Sequence, residues 1–305
     1  IALITADNKI AFRDQIPLTE EEDKVDKITS TFFNIMKPKV GDRRIMGLCI
    51  IIPGIIDAEN KRILSTVIGV GYSDPVVQRF EEAFHDYPFC LLNDTACFAY
   101  AEYVFANITE PNFAYINVSK GVGACLFANG KMLRGAGSNA TQFGHFSVDR
   151  NGPLCACGNH GCVERVVGEN ALTERAEACG IDLTRFAGRK PLYCDIGAMA
   201  EDGDAHAKEL IKDLAVDLSF AISNLITLFN PSLVVIGGMG VNLGPFFLSN
   251  IRDEVQNSGF KEFVSNTWIQ YSTLGLDSEL GGAARYYIDH YYDFFEQMQG
   301  GLYAD

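Results

Sequence analysis

Hydrophobic positions change period several times along the chain. Ile1–Ala6 and Ile10–Ile16 read as β-like runs separated by the turn pair Asp7-Asn8. Residues 19–37 follow a helical period: Val25, Ile28, Phe32 and Ile35 form the apolar stripe, Thr19 is placed to cap it, and Glu22 follows three positions on. Met46–Ile52 is an unbroken apolar run, the pattern of a strand buried on both faces, and Pro53-Gly54 ends it. Asp74–Tyr87 is amphipathic at helical spacing. Phe89–Leu92 predicts a short buried strand, and Thr95–Phe105 the helix after it. Strand, helix, strand in succession predicts an α/β class.

Asn107–Asn112, which contains Pro111, reads as a boundary. Phe113–Val118 then opens a fresh strand, and Gly121–Asn129 continues as a hairpin that turns at Asn129-Gly130. Helical patterns cover Glu164–Cys179, Ile196–Asp202 and Ala205–Phe229, the last ended by Asn230-Pro231. Ser232–Ile236 is a buried strand leading into Gly237-Gly238-Met239-Gly240. A helix at 244–257, a strand at Trp268–Leu274 and a closing helix at Leu280–Gln297 complete the pattern. The aromatic run Tyr286–Phe295 is better core or dimer material than a ligand box. Two α/β domains are expected: a smaller one at 1–111, completed by a C-terminal helix at 284–305, and a larger one at 112–283.

Composition narrows the partners. The chain has 305 residues, 48% of them hydrophobic, enough for two cores. A formal net charge of −14 excludes electrostatic grip on nucleic acid or an anionic membrane by this segment. No apolar run approaches the ~18 residues of a membrane-spanning helix. Neither a signal peptide nor a disulfide framework is legible among the nine cysteines, so a reducing cytoplasm is expected. The chain opens on Ile1 and its first methionine is Met36, so native sequence upstream is expected.

One stretch obeys neither period: Gln142–Glu164, QFGHFSVDRNGPLCACGNHGCVE. It spaces His145, Cys155, Cys157 and Cys162 as H-x9-C-x-C-x4-C, interleaved with glycines. Three thiolates and an imidazole are a complete tetrahedral set for a closed structural Zn(2+) site. A loop this small buries little apolar surface, so the metal would supply its folding energy. The plainer alternative is three buried free cysteines, and His160 is a competing imidazole.

This stretch resembles the GH…CxCGxxGCxE signature of the ROK family (repressors, open reading frames and kinases). The resemblance implies an actin-like, ribonuclease-H-like, two-domain sugar-kinase fold with a zinc loop. It implies that His145 and Glu164 also contact a bound sugar. Asn93-Asp94, delivered at a strand end, match the family's Asn-Asp pair. There the Asn would contact sugar hydroxyls and Asp94, in a kinase, would be the general base. On the residues alone, Asp94 or Thr95 reads equally well as a helix cap. Gln142 stands where the family's ExGH has Glu; it keeps a carbonyl acceptor but loses the charge. The family's second phosphate loop, GTGxGxG, reads Ser119-Lys120-Gly121-Val122-Gly123-Ala124-Cys125. Gly121 and Gly123, with Gly237 and Gly238 on the adenosine side, are weak nucleotide-binding candidates. The plainer reading is a hairpin whose nucleotide role has lapsed.

The DxGGT-type first loop of the family's kinases has no counterpart here. Two functions follow. One is the sugar-sensing part of a transcriptional repressor, which meets DNA only through an upstream domain; the wording DRNG at Asp149–Gly152 favours that branch. The other is an ATP- and Mg(2+)-dependent hexose or N-acetylhexosamine kinase. Both expect a sugar or amino-sugar ligand bound between domains, and the family implies a homo-oligomer, dimer or tetramer.

Overall fold

The computed structural model describes residues 1–19, 21–57, 60–66, 75–136, 140–259 and 261–292. The chain divides into two units: Ile1–Asn107 with Ala136–Asn139 and Asp277–Asp305, and Ile108–Gly135 with Ala140–Leu276.

The first unit opens on an antiparallel hairpin, β1 (Ala2–Ile4) and β2 (Ile10–Arg13), turned through Asn8 at a φ of 61°. Helix α1 (Lys24–Thr31) starts later than the apolar stripe predicts. Its cap is Asp23, whose carboxylate accepts the Asp26 N–H at 3.0 Å. Glu22 instead turns back to accept the Thr19 N–H at 3.0 Å, ahead of the helix. Arg79 then holds Asp23 at 2.7 Å and Asp26 at 2.8 Å. The helix runs on through a π-type stretch, Phe32–Met36, into α2 (Lys37–Val40).

Strand β3 (Leu48–Ile52) is not ended by Pro53-Gly54 as a turn. A second strand, β4 (Gly54–Asp57), follows at once and pairs antiparallel with β5 (Arg62–Thr66). Helix α3 (Val76–Ala83) falls within the expected 74–87, whose first residue lies outside the described residues. Strand β6 (Phe89–Asn93) pairs parallel with β3 and leads without a gap into α4 (Asp94–Phe105). The core between these elements is aromatic: Phe32, Phe80, Phe84 and Phe89 pack with Leu91. Losing a fully buried leucine such as Leu91 would cost ~2–5 kcal/mol.

The second unit is built on one five-stranded sheet. Strand β7 (Phe113–Val118) lies at its centre with all six residues buried, and β8 (Val122–Ala128) and β9 (Lys131–Met132) follow antiparallel. Asn129 and Gly130 take φ values of 52° and 73°, the left-handed pair that a tight hairpin turn requires. The expected helix at 164–179 is two helices, α5 (Val163–Val167) and α6 (Glu169–Ala178), broken at Gly168. A Cβ there would stand 2.6 Å from the Glu164 carbonyl oxygen and 3.3 Å from that of Lys120, so close packing on the hairpin explains the break.

Helices α7 (Tyr193–Glu201) and α8 (Ala205–Phe229) precede β10 (Leu233–Gly237). Helix α9 (Gly244–Gln256), the short α10 (Lys261–Val264) and β11 (Trp268–Tyr271) complete the unit. The strand order is β11-β10-β7-β8-β9, with β11, β10 and β7 parallel. Helix α8 buries Leu210, Leu214, Leu218, Ile222 and Ile226, four residues apart along one face.

Helix α11 (Ser278–His290) belongs to the first unit and packs on α4. A Cβ at Gly282 would collide with the Cys97 carbonyl, so the glycine sets the approach. The Tyr100 hydroxyl donates to Asp289 at 2.7 Å. Among the described residues no helix is long and apolar enough to cross a membrane.

Candidate functional site

His145, Cys155, Cys157 and Cys162 converge in the second unit, with all four donor atoms within 4.8 Å of one another. The loop is closed by its own backbone. Cys155 N–H donates to the Asn159 carbonyl at 2.8 Å, and Gly158 N–H to the Cys155 carbonyl at 2.9 Å. Gly158 and Gly161 take φ values of 89° and 59°, which favour glycine. Cys155 Sγ lies 3.6 Å from His145 Nδ1, and Cys157 Sγ lies 3.6 Å from Cys162 Sγ. Zinc at ~2.3 Å from sulfur and ~2.0 Å from nitrogen holds tetrahedral ligands ~3.5–3.8 Å apart, so the donor set fits. Burial and the neighbouring Cys157 and Cys155 sulfurs push the Cys162 thiol up to about 12. A cation bound among the three sulfurs would compensate the charge of their thiolates. His160 stands apart from the cluster, its Nδ1 3.0 Å from the Gly152 carbonyl.

The loop ends at Glu164, in the first turn of α5. Its carboxylate leans over the β7–β8 turn: Val122 N–H points to Oε2 at 3.4 Å, and a Cβ at Gly121 would collide with the same oxygen. Gly144 lies flat against the Val122 carbonyl, which brings the His145 turn to the same place. Gly123 pairs with Asn117 across the hairpin.

Ser119 occupies the neighbouring strand ends. Its hydroxyl donates to Asn117 Oδ1 at 3.0 Å and accepts the Met239 N–H at 3.1 Å. Gly238 has a φ of 78°, and a Cβ on it would collide with Asn117 Oδ1 and Ser119 Oγ. Gly237 is packed as closely against the Tyr115 hydroxyl. The Tyr193 hydroxyl donates to the Ser119 carbonyl at 3.1 Å and the Val167 carbonyl at 3.0 Å. Ser119 is legible in the sequence as a departure from glycine, but its bond to Met239 spans 120 residues and is not.

In the first unit, Asn93 caps α4. Its Oδ1 accepts the Ala96 N–H at 3.0 Å, so neither Asp94 nor Thr95 is the cap. Asn93 Nδ2 donates to the Gly54 carbonyl at 2.6 Å and to Asp94 Oδ1 at 3.0 Å. Burial raises the Asp94 carboxyl above its ordinary value. Glu279, at the start of α11, went unmarked in the sequence. Burial, then the charges of Asp94 and Asp277, push its carboxyl up to about 7. An acid two residues ahead of the small-residue run that begins at Gly281 was the available signal.

Gln142 is exposed and precedes the helical turn Phe143–His145; His145 N–H donates to its carbonyl at 3.0 Å. The structure thus groups His145 with the three cysteines and sets Glu164 against Gly121 in the second unit. Asn93 and Asp94 stand together in the first.

A family model described as the ROK family matches residues 1–289. The xylose repressor of Bacillus subtilis (strain 168) is 26% identical over 250 residues, which cover 82% of this chain and 62% of that protein. The chain therefore spans less than two thirds of the length of that relative. A solved ROK family transcriptional regulator, a homologue of the Escherichia coli MLC protein, superposes with a TM-score of 0.78 at 24% identity, over 93% of this chain and 73% of its own. A ROK family glucokinase from Streptomyces griseus, solved with glucose and AMPPNP, gives a TM-score of 0.74 at 22% identity, over 93% and 94% of the two chains. The fold is accordingly the sugar-kinase-like α/β fold of the actin type, and the chain belongs to the ROK family.

Proposed function

We propose that this chain is the sugar-sensing part of a ROK-type transcriptional regulator, whose DNA-contacting region lies outside it. The observation that carries this reading is the Ser119 hydroxyl, bonded to both Met239 N–H and Asn117. Ligands of parallel sheets bind beyond the C-terminal ends of the strands. β7 and β10 end beside Ser119 and Gly238, and the serine side chain fills the space that a glycine would leave open. The Val122 amide is directed at the Glu164 carboxylate, so a fixed negative charge already occupies the turn where a phosphate would be held. In this reading Gly121, Gly123, Gly237 and Gly238 pack the fold and bind no nucleotide.

The sugar or amino sugar is assigned to Asn93, Asp94, Gln142, His145 and Glu164. His145 turns Nδ1 toward Cys155, which frees Nε2 on the opposite edge of the ring for a hydroxyl. Zn(2+) on His145, Cys155, Cys157 and Cys162 would hold the loop that presents His145 and Glu164. A ligand that prefers one conformation of the chain shifts its population, and that shift is the signal to the DNA-contacting region. All nine cysteines are free thiols, in keeping with a cytoplasmic setting.

Calorimetry with a panel of hexoses and N-acetylhexosamines, run beside an ATP hydrolysis assay with each sugar, tests the proposal. The expected outcome is binding of one sugar class, weakened by Glu164→Gln, without sugar-dependent hydrolysis. Sugar-dependent ADP release would overturn it. That outcome would favour a hexose or N-acetylhexosamine kinase using ATP and Mg(2+), a reading that Asp94 supports. Its buried carboxyl has the raised affinity for a proton that suits a general base toward a sugar hydroxyl.

A further inference from the structure

The first unit carries a positive patch on an acidic chain. Of 25 basic and 39 acidic residues in all, the short segment from Lys37 to Arg44 holds Lys37, Lys39, Arg43 and Arg44 against the single acid Asp42. All of these side chains are exposed. Elsewhere bases lean on carboxylates, as Lys27 does on Glu22 and Arg79 on Asp23, both at 2.7 Å. Among the described residues Lys37, Lys39 and Arg43 make no ion pair.

Rings and backbone hold these three in place instead. Lys37 Nζ stands 5.5 Å from the centre of the Phe33 ring and 5.6 Å from that of Tyr87, and Lys39 Nζ stands 4.2 Å from that of Phe12. An aromatic face attracts an ammonium without cancelling its charge. Arg43 Nε donates to the Val40 carbonyl at 3.1 Å and its Nη2 to the Lys39 carbonyl at 3.4 Å. A cation at the end of α2 complements the helix dipole, but several side by side repel one another. The cluster therefore works against the free chain, and a bound anion would relieve it. The helix reaches the patch through the π-type stretch Phe32–Met36, a rare geometry that gathers at functional sites. Ile10, 49% exposed, lies two positions from Phe12 on the same side of β2 and gives the patch an apolar border.

We propose that this patch docks an acidic segment of a partner protein, with carboxylates on Lys37, Lys39 and Arg43 and an apolar side chain against Ile10 and Phe12. Charge selects among anions. A nucleic-acid duplex or an anionic bilayer spreads its charge over a wide area, so it meets the rest of a chain of net charge −14 together with the patch. A short segment meets the patch alone. Carboxylates suit the donors: the Arg43 guanidinium offers a planar fork, and the two lysines are point charges. None of the three belongs to the residues assigned to the sugar, so docking is a function beyond sugar sensing.

Fluorescence anisotropy of the 305-residue chain with a labelled probe peptide, a run of glutamates interrupted by one leucine, tests the proposal. The expected result is binding that weakens as salt rises and falls at least tenfold on Lys37→Glu and on Lys39→Glu. Lys212→Glu, at an exposed lysine of the second unit, leaves it unchanged. No binding of the peptide, or binding indifferent to both patch substitutions, overturns the proposal. Tighter binding of a DNA duplex than of the peptide overturns it as well. Sugar calorimetry on the same variants should match the unaltered chain, so a failure of sugar sensing and a failure of docking are read separately. Lysine acetylation of the unaltered chain needs no variant. Bound peptide should protect Lys37 and Lys39 while Lys212 stays reactive, and patch lysines that remain as reactive as in the free chain overturn the proposal.

Discussion

Ser119 Oγ accepts the Met239 backbone N–H at 3.1 Å, joining the turn after β7 to the glycine turn after β10. The two segments are strand ends of one parallel pair, Gly237 lying opposite Asn117. A hydroxyl at that junction makes the two turns into one rigid edge, where a glycine would leave backbone accessible.

Removing the tie should cost stability. Ser119→Ala deletes a bond given to Asn117 and a bond received from Met239, and about 1–2 kcal/mol of folding free energy is expected to go with them. Chemical denaturation reads this directly as a lower midpoint with an unchanged slope.

Metal content separates the two imidazoles of the loop. The purified chain is expected to hold one zinc ion, lost on Cys155→Ser or His145→Ala and retained on His160→Ala, because only His145 joins the donor cluster. Chelation should lower the melting temperature, and the effect should shrink toward acid pH, where protons compete for the thiolates and the metal contributes less. Elemental analysis and thermal unfolding with and without chelator measure both effects.

Asn93 works at both ends of its side chain. Asn93→Ala removes the α4 cap and the bond to Gly54, a loss of about 1–2 kcal/mol. Asn93→Asp keeps an acceptor for the Ala96 N–H but gives up the donor to Gly54, so it should recover the cap's share alone. Urea unfolding of the two variants side by side tests the division.

Glu279 sets a pH dependence. Its carboxyl titrates near 7 in the folded chain against an ordinary 4.5, so between those values the folded state holds the extra proton. Stability from this group is present in acid and is lost as pH rises from about 4.5 through 7. Glu279→Gln should flatten that slope, leaving the chain more stable than the parent at pH 8 and no more stable at pH 4. Melting temperatures across that range decide it.

Much of this architecture is local and was legible before folding. Apolar runs and helical stripes marked β7, β10 and α8 because burial against a sheet imposes its own period on the residues that make it. The Asn129-Gly130 turn was legible because few residues tolerate two left-handed positions in a row. The cluster of His145 with the three cysteines was legible because all four donors lie within eighteen residues, so spacing alone brings them together.

Tertiary packing decided the rest. The break at Gly168 depends on a Lys120 carbonyl far back in the chain, and no helix period records that approach. The start of α1 depends on Arg79 holding Asp23, over fifty residues away. The same holds for Glu279, whose acidity is set by burial and by the charge of Asp94, on a helix packed against its own. Order along a chain encodes which residues prefer a helix, a strand or a turn. Desolvation and close contact act between residues that only the folded chain makes neighbours, and those determine which loops still have room for a ligand.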